Sequence, residues 1–196
     1  MAGKHLFARY GYENTSTVAI SREAGTSESQ MMKHFGSKQG LLAAIFERGW
    51  VAITERVKVI NDRVSLSEKL FAVLEAMVIE LENDPELKEI MMLEARRVRK
   101  DNRDVLLAQG FQRFAQILDG ILEEMRAQGQ IHGDVHPQAV RAACIGVTEG
   151  LLRDQVVAKR SEFPAAYDFD DIRRTLEMFV SSFSGDRAQR LKAANE

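Results

Sequence analysis

Between positions 27 and 38 the chain places Ser27, Glu28, Ser29, Gln30, Lys33, His34 and Lys38. Hydroxyl and carboxamide groups at this density can donate to and accept from base edges, and lysine or imidazole side chains can meet phosphate oxygens. A second cluster, His132, Asp134 and His136, puts three nitrogen or oxygen donors within five residues. A closed metal site needs a fourth donor. None follows at supporting spacing, and Gly133 with Pro137 fits a turn and a helix start better. The Glu-x-x-His pairs of bundle-core di-iron sites, the phosphate-loop and dinucleotide glycine patterns, the nucleophile elbow and the zinc-helix motif are all absent. Neither an enzyme nor a cofactor is expected.

The elements that must position the first cluster are helical. Three prolines occur, at 85, 137 and 164, and between them apolar residues recur at three and four rather than two. Leu42, Ile45, Phe46, Gly49, Trp50, Ile53 and Val57 mark one long stripe after Ser37, a natural N-cap. Leu66, Leu70, Val73, Leu74, Met77, Val78 and Leu81 mark the next. Asp84-Pro85 supplies a cap and a first-turn proline. A cap at Asp101 opens a run through Val105, Leu106, Phe114, Leu118, Ile121, Leu122 and Met125, stopped at Gly129. His136-Pro137 and Asp168 start the last two helices. Elements are short and turn-rich before about residue 45 and long after it, which predicts two domains, 1–45 and 46–196.

At 196 residues with 45% hydrophobic content, the chain can bury a core. Its net charge of −2 excludes whole-chain attraction to nucleic acid, so such a role must be local. The first fifty residues carry six basic against four acidic side chains. Cys144, the single cysteine, lies in an apolar helical run and reads as structural. No apolar run reaches bilayer length and no hydrophobic signal core opens the chain. A cytoplasmic protein with no membrane partner is expected.

Ser16, following Thr15, caps a helix that runs to about Ala24, where Gly25 supplies a left-handed stop; Ser27 caps the next helix. Only Thr26 separates them, so the two helices must cross as a helix-turn-helix unit. Glu28, Ser29, Gln30 and Lys33 then face outward, where a major groove could receive them. Gln30 can pair bidentately with adenine, Ser29 with several bases, and Lys33 and His34 with phosphates. Lys38 and the amides after Ser37 form an anion site that fixes docking without reading sequence.

The run Leu6-Phe7-Ala8-Arg9-Tyr10-Gly11-Tyr12-Glu13-Asn14-Thr15-Ser16, then Ile20, Ala24-Gly25-Thr26-Ser27 and His34-Phe35-Gly36-Ser37-Lys38-Gln39-Gly40-Leu41-Leu42, resembles the DNA-binding segment of the TetR family of transcriptional regulators in order and spacing. Met32 stands where that family usually has a phosphate-touching tyrosine, and Val18 at an outward position that is commonly polar. The lead-in before the first helix is shorter than usual, as a truncated start would make it.

The resemblance implies an all-α regulator, most simply a repressor. A three-helix head that includes Thr15, Ser16 and the residues above would bind a palindromic DNA operator. A larger body would hold a small-molecule effector, at least partly apolar, and form a homodimer. Candidate effector lining is Trp50, Phe71, Met77, Met91, Met92, Phe111, Phe114 and Met125, with Glu94, Arg96 or Arg97 able to turn inward toward a polar group. The small stripe Ala139, Ala143, Gly146 and Gly150 and the apolar face Ile172, Leu176, Phe179, Val180 and Phe183 are candidates for a four-helix dimer interface. The competing reading is a dimeric scaffold or ligand-binding protein that has lost operator recognition.

Overall fold

The computed structural model describes residues 1–60, 65–95, 108–131 and 134–183. Among these run α1 (Ala2–Tyr10), α2 (Thr17–Glu23), α3 (Glu28–Phe35), α4 (Lys38–Val57), α5 (Leu66–Asn83), α6 (Pro85–Glu94), α7 (Gln109–Ala127), α8 (Pro137–Ala158) and α9 (Phe169–Phe183). No strand occurs among the described residues, and the chain is all-α as its periodicity predicts. The cap expected at Asp101, together with Arg96, Arg97, Val105, Leu106, His132 and Gly133, lies outside the described residues.

Local chemistry sets the helix limits. Ser16 Oγ accepts from the Ala19 amide at 3.1 Å and opens α2. The same helix closes through paired bonds, Gly25 N to Arg22 O and Thr26 N to Ser21 O, around Gly25 at φ +64. Only a residue that tolerates positive φ allows this closure. Asp84 Oδ1 accepts from the Leu87 amide and Pro85 takes the first turn of α6, as the sequence suggests. Asp168 and Asp171 exchange side-chain and backbone bonds at 3.0 and 3.1 Å to start α9.

Compactness groups the chain into two units, Met1–Ala52 with Glu80–Gln112, and Ile53–Ile79 with Arg113–Glu196. In the first, Leu6, Phe7, Tyr12, Ile20, Met31, Leu42, Phe46, Trp50, Leu87, Ile90 and Met91 are buried. Within it α1 packs on α6. Lys4 Nζ sits 2.6 and 2.7 Å from the two Asp84 carboxylate oxygens, and His5 Nδ1 lies 2.7 Å from Glu86. At the far end, Glu94 accepts from the buried Tyr12 amide at 3.4 Å. Helix α6 therefore groups with the head helices, whereas the sequence division at residue 45 assigns it to the body.

In the second unit Leu70, Val73, Leu74, Met77, Phe114, Leu118, Leu122, Met125, Cys144, Leu152, Ile172, Leu176 and Val180 are buried. Arg141 of α8 pairs with Asp119 of α7, and Arg173 of α9 with Glu75 of α5 at 2.6 Å. Tyr167 Oη donates to the Leu151 carbonyl at 2.6 Å and ties the segment before α9 onto α8. Burial pushes the Cys144 thiol up to about 12, so it stays protonated and serves as packing. No helix among the described residues is long and apolar enough to cross a membrane.

Candidate nucleic-acid interface

Helix α3 is eight residues long and is fixed at both ends. At its start Ser27 Oγ accepts from the Gln30 amide at 3.1 Å while Gln30 Oε1 accepts from the Ser27 amide at 3.3 Å, a reciprocal capping box. Thr26 Oγ1 donates to the same Gln30 oxygen at 2.7 Å. At its end Gly36 adopts φ +74 and its amide returns to Met32 O. Ser37 then caps α4 by accepting from the Gly40 amide at 2.9 Å. A Cβ on Gly40 would lie 2.0 Å from the Phe35 carbonyl oxygen, so the turn between α3 and α4 requires glycine there.

These bonds redistribute the roles expected from sequence. Ser29, Lys33 and His34 are exposed on α3, in keeping with an outward face. Gln30 is exposed as well, but its carbonyl oxygen is committed to the capping box. A bidentate adenine contact therefore requires the box to open; with the box closed, Nε2 is the atom left for a base. Glu28 accepts from the Thr17 hydroxyl and so clasps the first turn of α3 to that of α2. Ser16 and Ser27 are caps whose hydroxyl oxygens face their own helices.

Two expected contacts are internal. Thr15 is buried, with Oγ1 donating toward Gly11 O at 2.8 Å and Leu6 O at 3.2 Å, so it plugs the turn after α1 rather than meeting DNA. Lys38 is engaged inside the head as well. Its Nζ donates to Tyr12 O at 2.9 Å and Thr15 O at 3.1 Å and lies 4.2 Å from the Tyr12 ring centroid. In this position it fastens α4 to the α1–α2 turn. Tyr12 and Thr17 are given no role in the sequence reading because their partners lie 26 and 11 residues away. Val18 and Met32 are exposed apolar side chains on α2 and α3.

The effector candidates divide between the units. Trp50, Met91 and Met92 are buried in the first, where Phe111 is half-buried with its ring 5.2 Å from that of Trp50. Gly110 permits this approach, because a Cβ there would lie 2.3 Å from Trp50 Cβ. In the second, Met77, Phe114 and Met125 are buried, and Phe71 is half-buried with Arg173 5.6 Å from its ring centroid. Glu94 does turn inward, but toward the Tyr12 amide.

On α8, Ala139, Ala143 and Gly146 are exposed and Gly150 is half-exposed, with open space where a Cβ on either glycine would stand. On α9, Ile172, Leu176 and Val180 are buried by the chain itself, leaving Phe179 and Phe183 half-exposed with rings 5.3 Å apart. Of the three donors weighed and set aside as a metal site, His136 caps α8 by accepting from the Gln138 amide at 3.3 Å.

Short helices α2 and α3 joined through Ala24–Ser27 define a helix-turn-helix protein. Residues 1–45 match the family of bacterial regulatory proteins named tetR, and residues 47–176 match the C-terminal region of YsiA-like proteins. The chain belongs to the TetR family of transcriptional regulators, with a DNA-binding head and a ligand-binding body.

It is similar to the nucleoid occlusion factor SlmA of Photobacterium profundum, 24% identical over 166 residues and 84% of each chain. The SlmA of Vibrio atlanticus is 25% identical over 78% of this chain and 77% of its own. Among solved structures, the fatty acid degradation regulator FadR from Bacillus halodurans superposes with a TM-score of 0.78 at 18% identity, covering 91% of this chain and 90% of its own. FadR from Bacillus subtilis in complex with stearoyl-CoA superposes with a TM-score of 0.76 at 21% identity, covering 91% and 94%. At such identities the two superpositions establish the fold alone.

Proposed function

We propose that the protein is a repressor that binds a palindromic operator as a homodimer and is released by a small-molecule effector held in residues 46–196. The observation that carries this reading is the exposed face of α3, with Ser29, Lys33 and His34 outward and the helix fixed at both ends. A reading helix must not move relative to its phosphate contacts, because base contacts only discriminate when register is fixed. Dimerisation adds a second half-site and multiplies a weak grip. The uncovered small-residue face of α8, continued by Phe179 and Phe183, is the surface that supports it.

The effector acts by binding one arrangement of the dimer better than the other, and shifts operator affinity by that difference and no more. FadR of Bacillus subtilis holds stearoyl-CoA, which makes a long-chain acyl thioester the first compound to test. Met77, Phe114 and Met125, buried in the second unit, supply apolar side chains suited to such a tail. The reading is tested by footprinting the chain on DNA upstream of its own coding sequence across a salt series. Protection of a two-fold symmetric site, lost steeply as salt rises, is the expected result. Uniform coating of the DNA, or no binding by a protein that is dimeric, rejects it.

The scaffold alternative draws on one observation: Thr15, Lys38 and the carbonyl of Gln30 are all engaged inside the head. Dimerisation with no sequence-selective shift in the same footprinting series would favour it.

A further inference from the structure

The first unit contains a cleft of about 280 Å³ that operator recognition leaves unused, and none of the eight effector candidates lines it. One wall is a single face of α4, where Leu41, Ile45 and Gly49 recur at helical spacing, and Leu87 of α6 and Phe35 close it. Gly49 lets Leu87 approach closely, since a Cβ there would lie 2.6 Å from a Leu87 methyl and would push that side chain aside. Ala44 and Ala52 also line the cleft but are exposed, so their small size leaves volume rather than relieving a clash.

The charged rim is unevenly engaged. Lys4 is spent on Asp84, whose two carboxylate oxygens lie 2.6 and 2.7 Å away. Glu80 is half-buried and already engaged by another group. Arg48 borders the same cleft and is exposed to solvent. A cavity of roughly 150 Å³ accepts benzene, so this one suits a molecule of roughly ten to twelve non-hydrogen atoms. An apolar wall with a solvent-facing guanidinium at its edge matches a molecule with an apolar body and one anionic end. We propose that the cleft binds a small amphiphilic carboxylate, its chain against Leu41, Ile45 and Leu87 and its carboxylate on Arg48.

The site stands whether or not the chain acts as a repressor, and its test needs no DNA. The full chain, labelled at Ile and Leu methyl groups, is titrated with octanoate, 1-octanol and octylammonium and followed by NMR. Octanoate is expected to shift the Ile45, Leu41 and Leu87 methyls and to bind about tenfold more tightly than 1-octanol, the factor expected of one charge-assisted contact. Arg48→Gln should remove that preference and leave 1-octanol binding unchanged. Ala52→Phe should abolish the shifts with both probes while the unfolding midpoint stays put, and Ala44→Leu repeats the arm should Ala52→Phe disturb folding. Octanoate shifts confined to other methyls, octanoate binding that survives both filling variants, or a preference for octylammonium would each overturn the proposal.

Discussion

The head and the α8–α9 end both bury apolar side chains, but they differ in how much falls to directional polar bonds. Helices α1, α2 and α3 have nine, seven and eight residues, too short to persist without outside support. The head supplies it with polar staples between neighbours: Lys38 on two carbonyls, Thr15 on two more, Glu28 on Thr17, and the Ser27–Gln30 box. Helix α8 has 22 residues and buries Val140, Cys144, Ile145, Leu152 and Val156. Burial of that kind tolerates small shifts of one side chain. A directional hydrogen bond does not, and the head is where position relative to an operator decides function.

The contrast breaks most visibly in the second unit. Phe114 of α7 is fully buried, so Phe114→Ala should cost about 3 to 5 kcal/mol by denaturant unfolding. Its effect on operator binding should vanish once the fraction folded is allowed for. A residual loss of affinity in the folded protein would show that the body's packing also sets the head.

Gly40→Ala comes next. Its Cβ would meet the Phe35 carbonyl at 2.0 Å, and displacing backbone on that scale should cost about 2 to 3 kcal/mol. Affinity for every DNA sequence should fall together, read by fluorescence anisotropy on specific and random duplexes. Retained affinity would mean that the junction of α3 and α4 has slack.

Lys38→Met removes a charged donor from two carbonyls and should cost about 1.5 to 3 kcal/mol. On DNA it should weaken specific and random sequences alike, because it loosens the support of α3 and leaves the α3 side chains in place. The distinguishing measurement is the salt dependence of binding. A lysine that touches phosphate lowers the slope by about one on removal, whereas an internal staple leaves the slope unchanged. A lowered slope would restore the phosphate role expected from sequence.

Legibility follows the distance over which a bond acts. Ser16, Ser27, Ser37 and Asp84 could be named as caps because a cap and its amide lie within three residues. The stop at Gly25 is equally local. The apolar stripes were readable because burial follows helical period, and α4, α5 and α7 bury most of the described residues that their periodicity marks, with Ile45, Val57 and Leu66 half-buried. The internal bonds of Lys38 were not legible because its partners, Tyr12 and Thr15, lie 26 and 23 residues back. The attachment of α6 to α1 spans about eighty residues, and nothing in local pattern announces it. Gln30 shows a third case: its type permits both capping and base reading, and only geometry says which atom is left over.

Gln30 also yields a finer test. Gln30→Ala opens the capping box and should cost about 0.5 to 1 kcal/mol, with base preference and stability falling together. Gln30→Glu keeps an acceptor for the Ser27 amide and so preserves the box, but removes Nε2 as a donor. Stability near that of the parent with an altered base preference in a selection from random duplexes would establish that Nε2 reads DNA. Unchanged preference would reduce Gln30 to a cap.

The smallest effect on folding belongs to the uncovered face of α8. Nothing lies within 4 Å of where a Gly146 Cβ would stand, so Gly146→Leu meets no neighbour in the single chain. Replacing a mid-helix glycine should raise helix stability by about 0.5 to 1 kcal/mol. If two copies pack backbone to backbone there, the leucine side chain must force them apart. Sedimentation should then show monomer at concentrations where the parent chain is a dimer, and operator affinity should fall although the fold is firmer. A dimer of unchanged dissociation constant would move the interface off α8 and leave the half-exposed Phe179 and Phe183 as its next candidates.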